Sequence, residues 1–147
     1  KKRMFPVRHD IYLKGKSIQS ARRFQGKNTV EYEIRVRQLC INGEERYYDS
    51  DGELHRDNGP ALIDNKGEYW YCHGKLHRVD GPAVIQPKVH NRMGWYQHGL
   101  LHREEGPAFT QSGVEKWYQQ GKLHRQDEPA VTNKGIKEWW ENGIRIK

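Results

Sequence analysis

The chain has 147 residues, 34% of them hydrophobic and 31% charged, with a formal net charge of +7. That length suits one or two small domains, and a single globule this polar would have a thin core. No run of about 18 apolar residues occurs, which argues against a membrane-spanning helix, while five Trp and eight Tyr argue against simple disorder.

The first 46 residues are basic. They hold 12 Lys/Arg against 5 Asp/Glu, and the rest of the chain is balanced at 14 of each, so all the excess positive charge lies in the first third. Ile11-Tyr12-Leu13-Lys14-Gly15-Lys16 reads as a worn copy of a ring-to-glycine segment that recurs later. Arg22-Arg23, within Gln19 to Lys27, reads as a loop or a short helix. Val30 to Cys40 alternates, with Val30, Tyr32, Ile34 and Val36 on one face, and predicts one long strand. Asn42-Gly43 then predicts a hairpin turn into Arg46-Tyr47-Tyr48. No secretory apolar segment opens the chain. Cys40 and Cys72 are too few for a disulfide framework and are expected as reduced thiols.

From residue 47 the chain repeats. Leu-His-Arg occurs at Leu54-His55-Arg56, Leu76-His77-Arg78, Leu101-His102-Arg103 and Leu123-His124-Arg125. Two residues after each triplet comes Gly-Pro-Ala, at Gly59, Gly81 and Gly106, with Glu128-Pro129-Ala130 in the fourth copy. A glycine precedes each triplet (Gly52, Gly74, Gly99, Gly121), and Gly143 follows the same rule without it. Four residues before each glycine stands a ring: Tyr48, Trp70, Trp95, Trp117 and Trp139. After each alanine comes an apolar position, Leu62, Val84, Phe109 or Val131, then a short β-prone run. Turn signals follow, as in Asn65-Lys66-Gly67, Gln111-Ser112-Gly113 and Asn133-Lys134-Gly135.

One copy therefore reads as one β-hairpin. The fold class expected is all-β, with tandem hairpins in an elongated antiparallel sheet, about two strands of about five residues per copy. The division is a basic segment, 1–46, and a repeat domain, 47–147. The ring column should line one face. With few other large apolar residues available, the tryptophans are expected to form the core.

The segment Trp117-Tyr118-Gln119-Gln120-Gly121-Lys122, with Gly and Pro opening the next strand, resembles the MORN repeat and its variants. The Leu-His-Arg-x-x-Gly-Pro-Ala form is similar to repeats in phage and large-virus proteins. The resemblance covers residues 47–147 and departs from the standard repeat at His-Arg and Pro-Ala. It implies a scaffolding or interaction role and no catalytic residue.

The histidine column invites a metal or acid–base reading. Equivalent histidines two strands apart lie roughly 10 Å from one another, too far for a shared zinc, whose ligands sit about 2 Å from the ion. Catalysis needs distinct roles at one site, not four equal copies. The expectation is that Leu packs while His and Arg bond turn carbonyls or acidic neighbours such as Asp57, Asp80 and Glu105. No metal and no cofactor is expected, and no phosphate-cradling loop or nucleophile motif is present.

The functional expectation is a non-enzymatic module that binds an acidic protein partner through the basic segment. Arg22, Arg23, Arg35 and Arg37 are the candidate binding residues there. In concrete form, it is a phage or viral protein that blocks a host factor in the cytoplasm. The alternatives are nucleic-acid binding through the same segment and, third, a His/Arg-based nuclease. A second candidate site is the stretch between His77 and His102, three residues longer than its counterparts, with Lys88, His90 and Arg92 in the extra loop.

Overall fold

The computed structural model describes residues 43–147 throughout and, before them, the backbone of residues 12–13, 16–25 and 30–39. Among the described residues there are strands and turns and no helix.

Strands β1 (Tyr12–Leu13), β2 (Lys16–Gln25), β3 (Val30–Leu39) and β4 (Glu45–Tyr48) pair antiparallel in succession. β3 is the long strand that the alternation from Val30 predicts. β2 corrects the expectation of a loop or short helix at Arg22-Arg23. It is a ten-residue strand that pairs along β3, with an irregularity between Ile18 and Ser20. A long neighbouring strand offers a full row of backbone partners, and this outweighs the weak local preference of a polar segment. Cys40 and Asn42 lie outside the described residues, as do Ile11, Lys14 and Gly15 of the worn copy and Lys1, Lys2, Arg3, Arg8 and Lys27 among the basic residues of the first third.

Each later copy adds four short strands. The second copy holds β5 (Leu62–Ile63), β6 (Glu68–Tyr69), β7 (Tyr71–Cys72) and β8 (Lys75–Leu76). The third holds β9 (Val84–Gln86), β10 (Arg92–Gly94), β11 (Tyr96–Gln97) and β12 (Leu100–Leu101). The fourth holds β13 (Phe109–Gln111), β14 (Val114–Lys116), β15 (Tyr118–Gln119) and β16 (Lys122–Leu123). The fifth holds β17 (Val131–Asn133), β18 (Ile136–Glu138), β19 (Trp140–Glu141) and β20 (Ile144–Arg145). The first pair of each copy joins one twelve-stranded antiparallel sheet, in the order β1-β2-β3-β4-β5-β6-β9-β10-β13-β14-β17-β18. The second pair forms a separate small hairpin. The single hairpin expected per copy is thus two hairpins in series.

The tryptophan is the hinge between them. Trp70, Trp95 and Trp117 donate their amides to the carbonyls of Ala83, Ala108 and Ala130 in the main sheet, at 2.7, 2.8 and 2.7 Å. Their own carbonyls accept the amides of His77, His102 and His124, at 3.0 Å each, and so close the small hairpins. Tyr47 does the same with Ala61 at 2.7 Å and His55 at 3.0 Å. The ring column is therefore Tyr47, Trp70, Trp95, Trp117 and Trp139. Tyr48, which the distance to Gly52 suggests as its first member, instead bridges Leu54, as Tyr71 pairs with Leu76. The register slips because the first small turn, between Tyr48 and Leu54, is one residue longer than the later ones.

The core also departs from expectation. Among the described residues, Ala61, Ala83, Ala108 and Ala130 are the fully enclosed side chains, with Val84 and Val131 close behind, and no large side chain is fully buried. The tryptophans are half-buried. Strands of two or three residues enclose a methyl on all sides but leave part of an indole uncovered.

Candidate functional site

The repeated triplet is a clamp on the next copy. Each small hairpin turns through two residues, His73-Gly74, His98-Gly99, Gln120-Gly121 or Asn142-Gly143. Both have positive φ, 46 to 51° at the first position and 72 to 86° at the glycine, which is the primed turn that suits the twist of paired strands. The two turn amides face the preceding copy. The first donates to a histidine Nδ1, from His73 to His55, His98 to His77, Gln120 to His102 and Asn142 to His124, at 3.2 Å in every case. The second donates to a leucine carbonyl, from Gly74 to Leu54, Gly99 to Leu76, Gly121 to Leu101 and Gly143 to Leu123, at 2.8 to 2.9 Å. In return the amides of Arg56, Arg78, Arg103 and Arg125 donate to the carbonyls of Tyr71, Tyr96, Tyr118 and Trp140, at 3.1 to 3.3 Å. The expected bonds to turn carbonyls or acidic neighbours are met by His55 with Asp57 and Arg78 with Asp80, while the histidine Nδ1 accepts an amide. An imidazole that accepts at Nδ1 carries its proton on Nε2 and is neutral. At His55 that Nε2 faces the Asp57 carboxylate at 2.9 Å.

The arginine side chain explains the rest of the motif. Its Cζ lies over the ring of its own copy, 4.0 Å from Tyr47, 4.1 Å from Trp70, 4.0 Å from Trp95 and 3.8 Å from Trp117. Each guanidinium also donates to the proline carbonyl four residues on, at 3.1 to 3.3 Å. The glycine of Gly-Pro-Ala lies against it, since a Cβ at Gly59, Gly81 or Gly106 would come within 2.8 to 3.1 Å of Cζ. Each guanidinium therefore packs between an aromatic face and bare backbone, a contact of about 1 kcal/mol when partly buried. In the fourth copy Glu128 replaces the glycine and its carboxylate pairs with Arg125. In the fifth, Lys147 covers Trp139, with Nζ 5.1 Å from the ring centre.

Between successive motif loops lies an open groove of about 570 Å³, bordered by His55, Arg56, Asp57, Cys72, His77 and Asp80. Burial, with the neighbouring His98, holds the His77 imidazole below its ordinary value. The hydrogen bond and charge of Arg78, 2.8 Å away, hold Asp80 below the carboxylate range. Burial, with nearby Tyr96, pushes the Tyr71 and Tyr118 phenols up.

The candidate binding residues fall into two separate groups. Arg22 and Arg23 lie in β2, opposite Glu33 and Tyr32. Arg35 and Arg37 lie in β3, opposite Ser20 and Ser17, and Arg37 also stands opposite Tyr47 of β4. The side chains of these four arginines lie outside the described residues. In the longer loop, Lys88 and His90 are exposed. The carbonyl of His90 accepts the amide and the hydroxyl of Ser112, at 3.1 and 3.0 Å. Arg92 belongs to β10, opposite Gln86, with its Cζ 5.5 Å from the centre of the Phe109 ring. β4, β5, β6 and β9 separate β3 from β10, about 24 Å at the usual strand spacing.

Sequence reasoning missed the turn residues. His73 stacks on His55 with ring centres 4.3 Å apart, and His98 lies 4.5 Å from His77. Equivalent histidines are a repeat apart, but a motif histidine and the next copy's turn residue touch. The signal was available in Cys72-His73-Gly74, where a thiol and an imidazole precede the recurring glycine. No family model, curated protein or solved structure matches the chain.

Proposed function

We propose that the protein is a non-enzymatic interaction module that binds an acidic protein through its basic first third, with the hairpin stack as a rigid support. The observation that carries this reading is the use of the motif's polar groups. Each Leu-His-Arg spends its leucine carbonyl, histidine Nδ1, and arginine amide and guanidinium on internal bonds, so the recurring His-Arg pairs are accounted for by assembly. What assembly leaves unexplained is the charge of residues 1–46. Arg22, Arg23, Arg35 and Arg37 stand on two adjacent strands at one end of the sheet, a compact array for long-range attraction. Following the MORN-like resemblance, its concrete form is a phage or large-virus protein that occupies a host protein's acidic surface in the cytoplasm.

Changing Arg22, Arg23, Arg35 and Arg37 together to Glu should weaken partner capture at least tenfold, about 1.4 kcal/mol. The tryptophan fluorescence of the distant copies should not change. Capture is measured in pull-downs at low and high salt, with and without nuclease. Partner retention that survives nuclease but falls with salt supports the reading. Loss on nuclease treatment identifies a nucleic acid instead, and capture that ignores both salt and the four reversals makes the basic segment a solubility device.

The loop gives a second expectation. Replacing residues 86–91 by the Asn-Lys-Gly turn of residues 133–135 removes the three extra residues and should leave the stack folded, losing the two Ser112 bonds to His90 and the Gln86 bond to the Tyr69 hydroxyl. If Lys88 and His90 contribute contacts, binding falls severalfold in titration of the shortened chain. Unchanged binding assigns the loop to tolerated surface variation.

A further inference from the structure

The junction between the first and second copies differs from the other three. At every junction a turn amide meets a histidine Nδ1 at the same 3.2 Å. The two residues that open the turn nevertheless vary: Cys72-His73, Gln97-His98, Gln119-Gln120 and Glu141-Asn142. The fold accepts amides and carboxylates there, so it does not require a thiol and an imidazole. The first copy's longer turn adds a second departure. Its Asp49 carboxylate accepts the amides of Asp51 and Glu53 at 3.1 and 2.9 Å and meets His73 Nδ1 at 2.8 Å. The thiol and the longer turn, two departures from the repeat, thus converge on His73.

We infer that this junction binds a thiophilic divalent cation of the zinc class through His55, Cys72 and His73. One ligating atom from each residue lies within 4.8 Å of the others. A tetrahedral zinc with bonds of about 2.0 to 2.3 Å needs such atoms about 3.5 Å apart, so side-chain adjustments of about 1 Å close the site. Each imidazole already has one nitrogen on a carboxylate: His73 Nδ1 on Asp49 at 2.8 Å and His55 Nε2 on Asp57 at 2.9 Å. That arrangement orients metal-binding histidines and raises their basicity. It leaves His73 Nε2 and His55 Nδ1 for the ion, with the cation taking the place of the His73 amide on Nδ1. The Cys72 thiol gives up its proton on binding. Three protein ligands leave the fourth position open to water or to a donor from another molecule. The ion staples the first two copies together, and the inference stands whether or not the basic segment binds a partner.

The test uses the full chain without an affinity tag, titrated with Co²⁺ alone and then with Zn²⁺ alone. One Co²⁺ should bind with a thiolate-to-metal charge-transfer band, be displaced by Zn²⁺, and raise the melting temperature. His73→Gln places there the residue found at position 120, where the same turn forms, so it should fold and bind Zn²⁺ at least 30-fold more weakly. Cys72→Ser should abolish the charge-transfer band. His98→Gln, at the next junction, and Cys40→Ser should change neither. Cobalt bound without a thiolate band, wild-type affinity in Cys72→Ser and His73→Gln, or loss of the band in Cys40→Ser would each overturn the assignment.

Discussion

Gly67→Ala is expected to destabilise the protein by more than about 3 kcal/mol, because the new methyl has nowhere to go. A Cβ built on Gly67 would lie 1.9 Å from the carbonyl oxygen of Ile85 and 2.9 Å from Gln86 Cα. Both obstacles are backbone. A side chain could rotate aside, whereas here β6 must move away from β9, breaking the pairing of Glu68 with Ile85 and Tyr69 with Val84. The turn that sets this approach is held by Asp64, whose Oδ1 accepts the amides of Lys66 and Gly67 at 2.8 and 2.9 Å, so relief from that side costs further bonds. Gly113→Ala and Gly135→Ala are the controls. Their φ values are 79° and 91° with nothing within 4 Å of a Cβ, and they should lose only the strain of a left-handed residue, about 1 to 2 kcal/mol. Urea midpoints of the three variants check the order; Gly67→Ala matching the controls would mean that the two strands part easily.

Acid should loosen the junction at His77 well before the carboxylates titrate. That junction needs a neutral imidazole, because a proton on Nδ1 removes the acceptor for the His98 amide. His77 is held below its ordinary value by burial and by neighbouring His98, so the unfolded chain binds this proton more readily than the folded one. Its stabilising contribution is therefore complete above the ordinary imidazole value, about 6.5, and is lost as pH falls through the lower folded value. The bond that its Nδ1 accepts from the His98 amide is worth about 1 kcal/mol, so the loss approaches about 1 kcal/mol. Asp80, held below the carboxylate range by Arg78, acts only at lower pH. Urea midpoints between pH 7.5 and 5 measure the effect. The variant His77→Gln should be weaker at pH 7.5 and flatter with pH. An unchanged slope in that variant would place the pH dependence elsewhere.

The repeat, its period and its all-β character were legible because they rest on local chemistry: glycine at turns, proline at strand starts, rings at fixed offsets. The long strand from Val30 was legible for the same reason, in its alternation. Arg22-Arg23 was not, since its strand conformation comes from β3 and not from its own residues. Tyr47 and Tyr48 were exchanged because counting to Gly52 cannot detect one extra residue in a turn. The tryptophans were assigned to the core from size alone. Whether a ring is enclosed depends on how much the neighbouring strands can cover, and strands of two or three residues cover an alanine. The histidines were judged against their own equivalents, which hid the contact with the next copy's turn. The four basic positions were found from charge, and β2 and β3 set them side by side through a pairing that composition does not encode.

The clamp between copies has a direction. One side offers a leucine carbonyl and a histidine nitrogen; the other offers two turn amides, which belong to the backbone whatever side chains the turn carries. A copy can therefore follow any other as long as it presents that turn. The side chains at its opening are then free to vary, as they do from Cys72-His73 through Gln97-His98 and Gln119-Gln120 to Glu141-Asn142. The array behaves as a ruler with interchangeable marks: the pitch is fixed by bonds that do not read the side chains, and each mark can be rewritten without altering the spacing of the others.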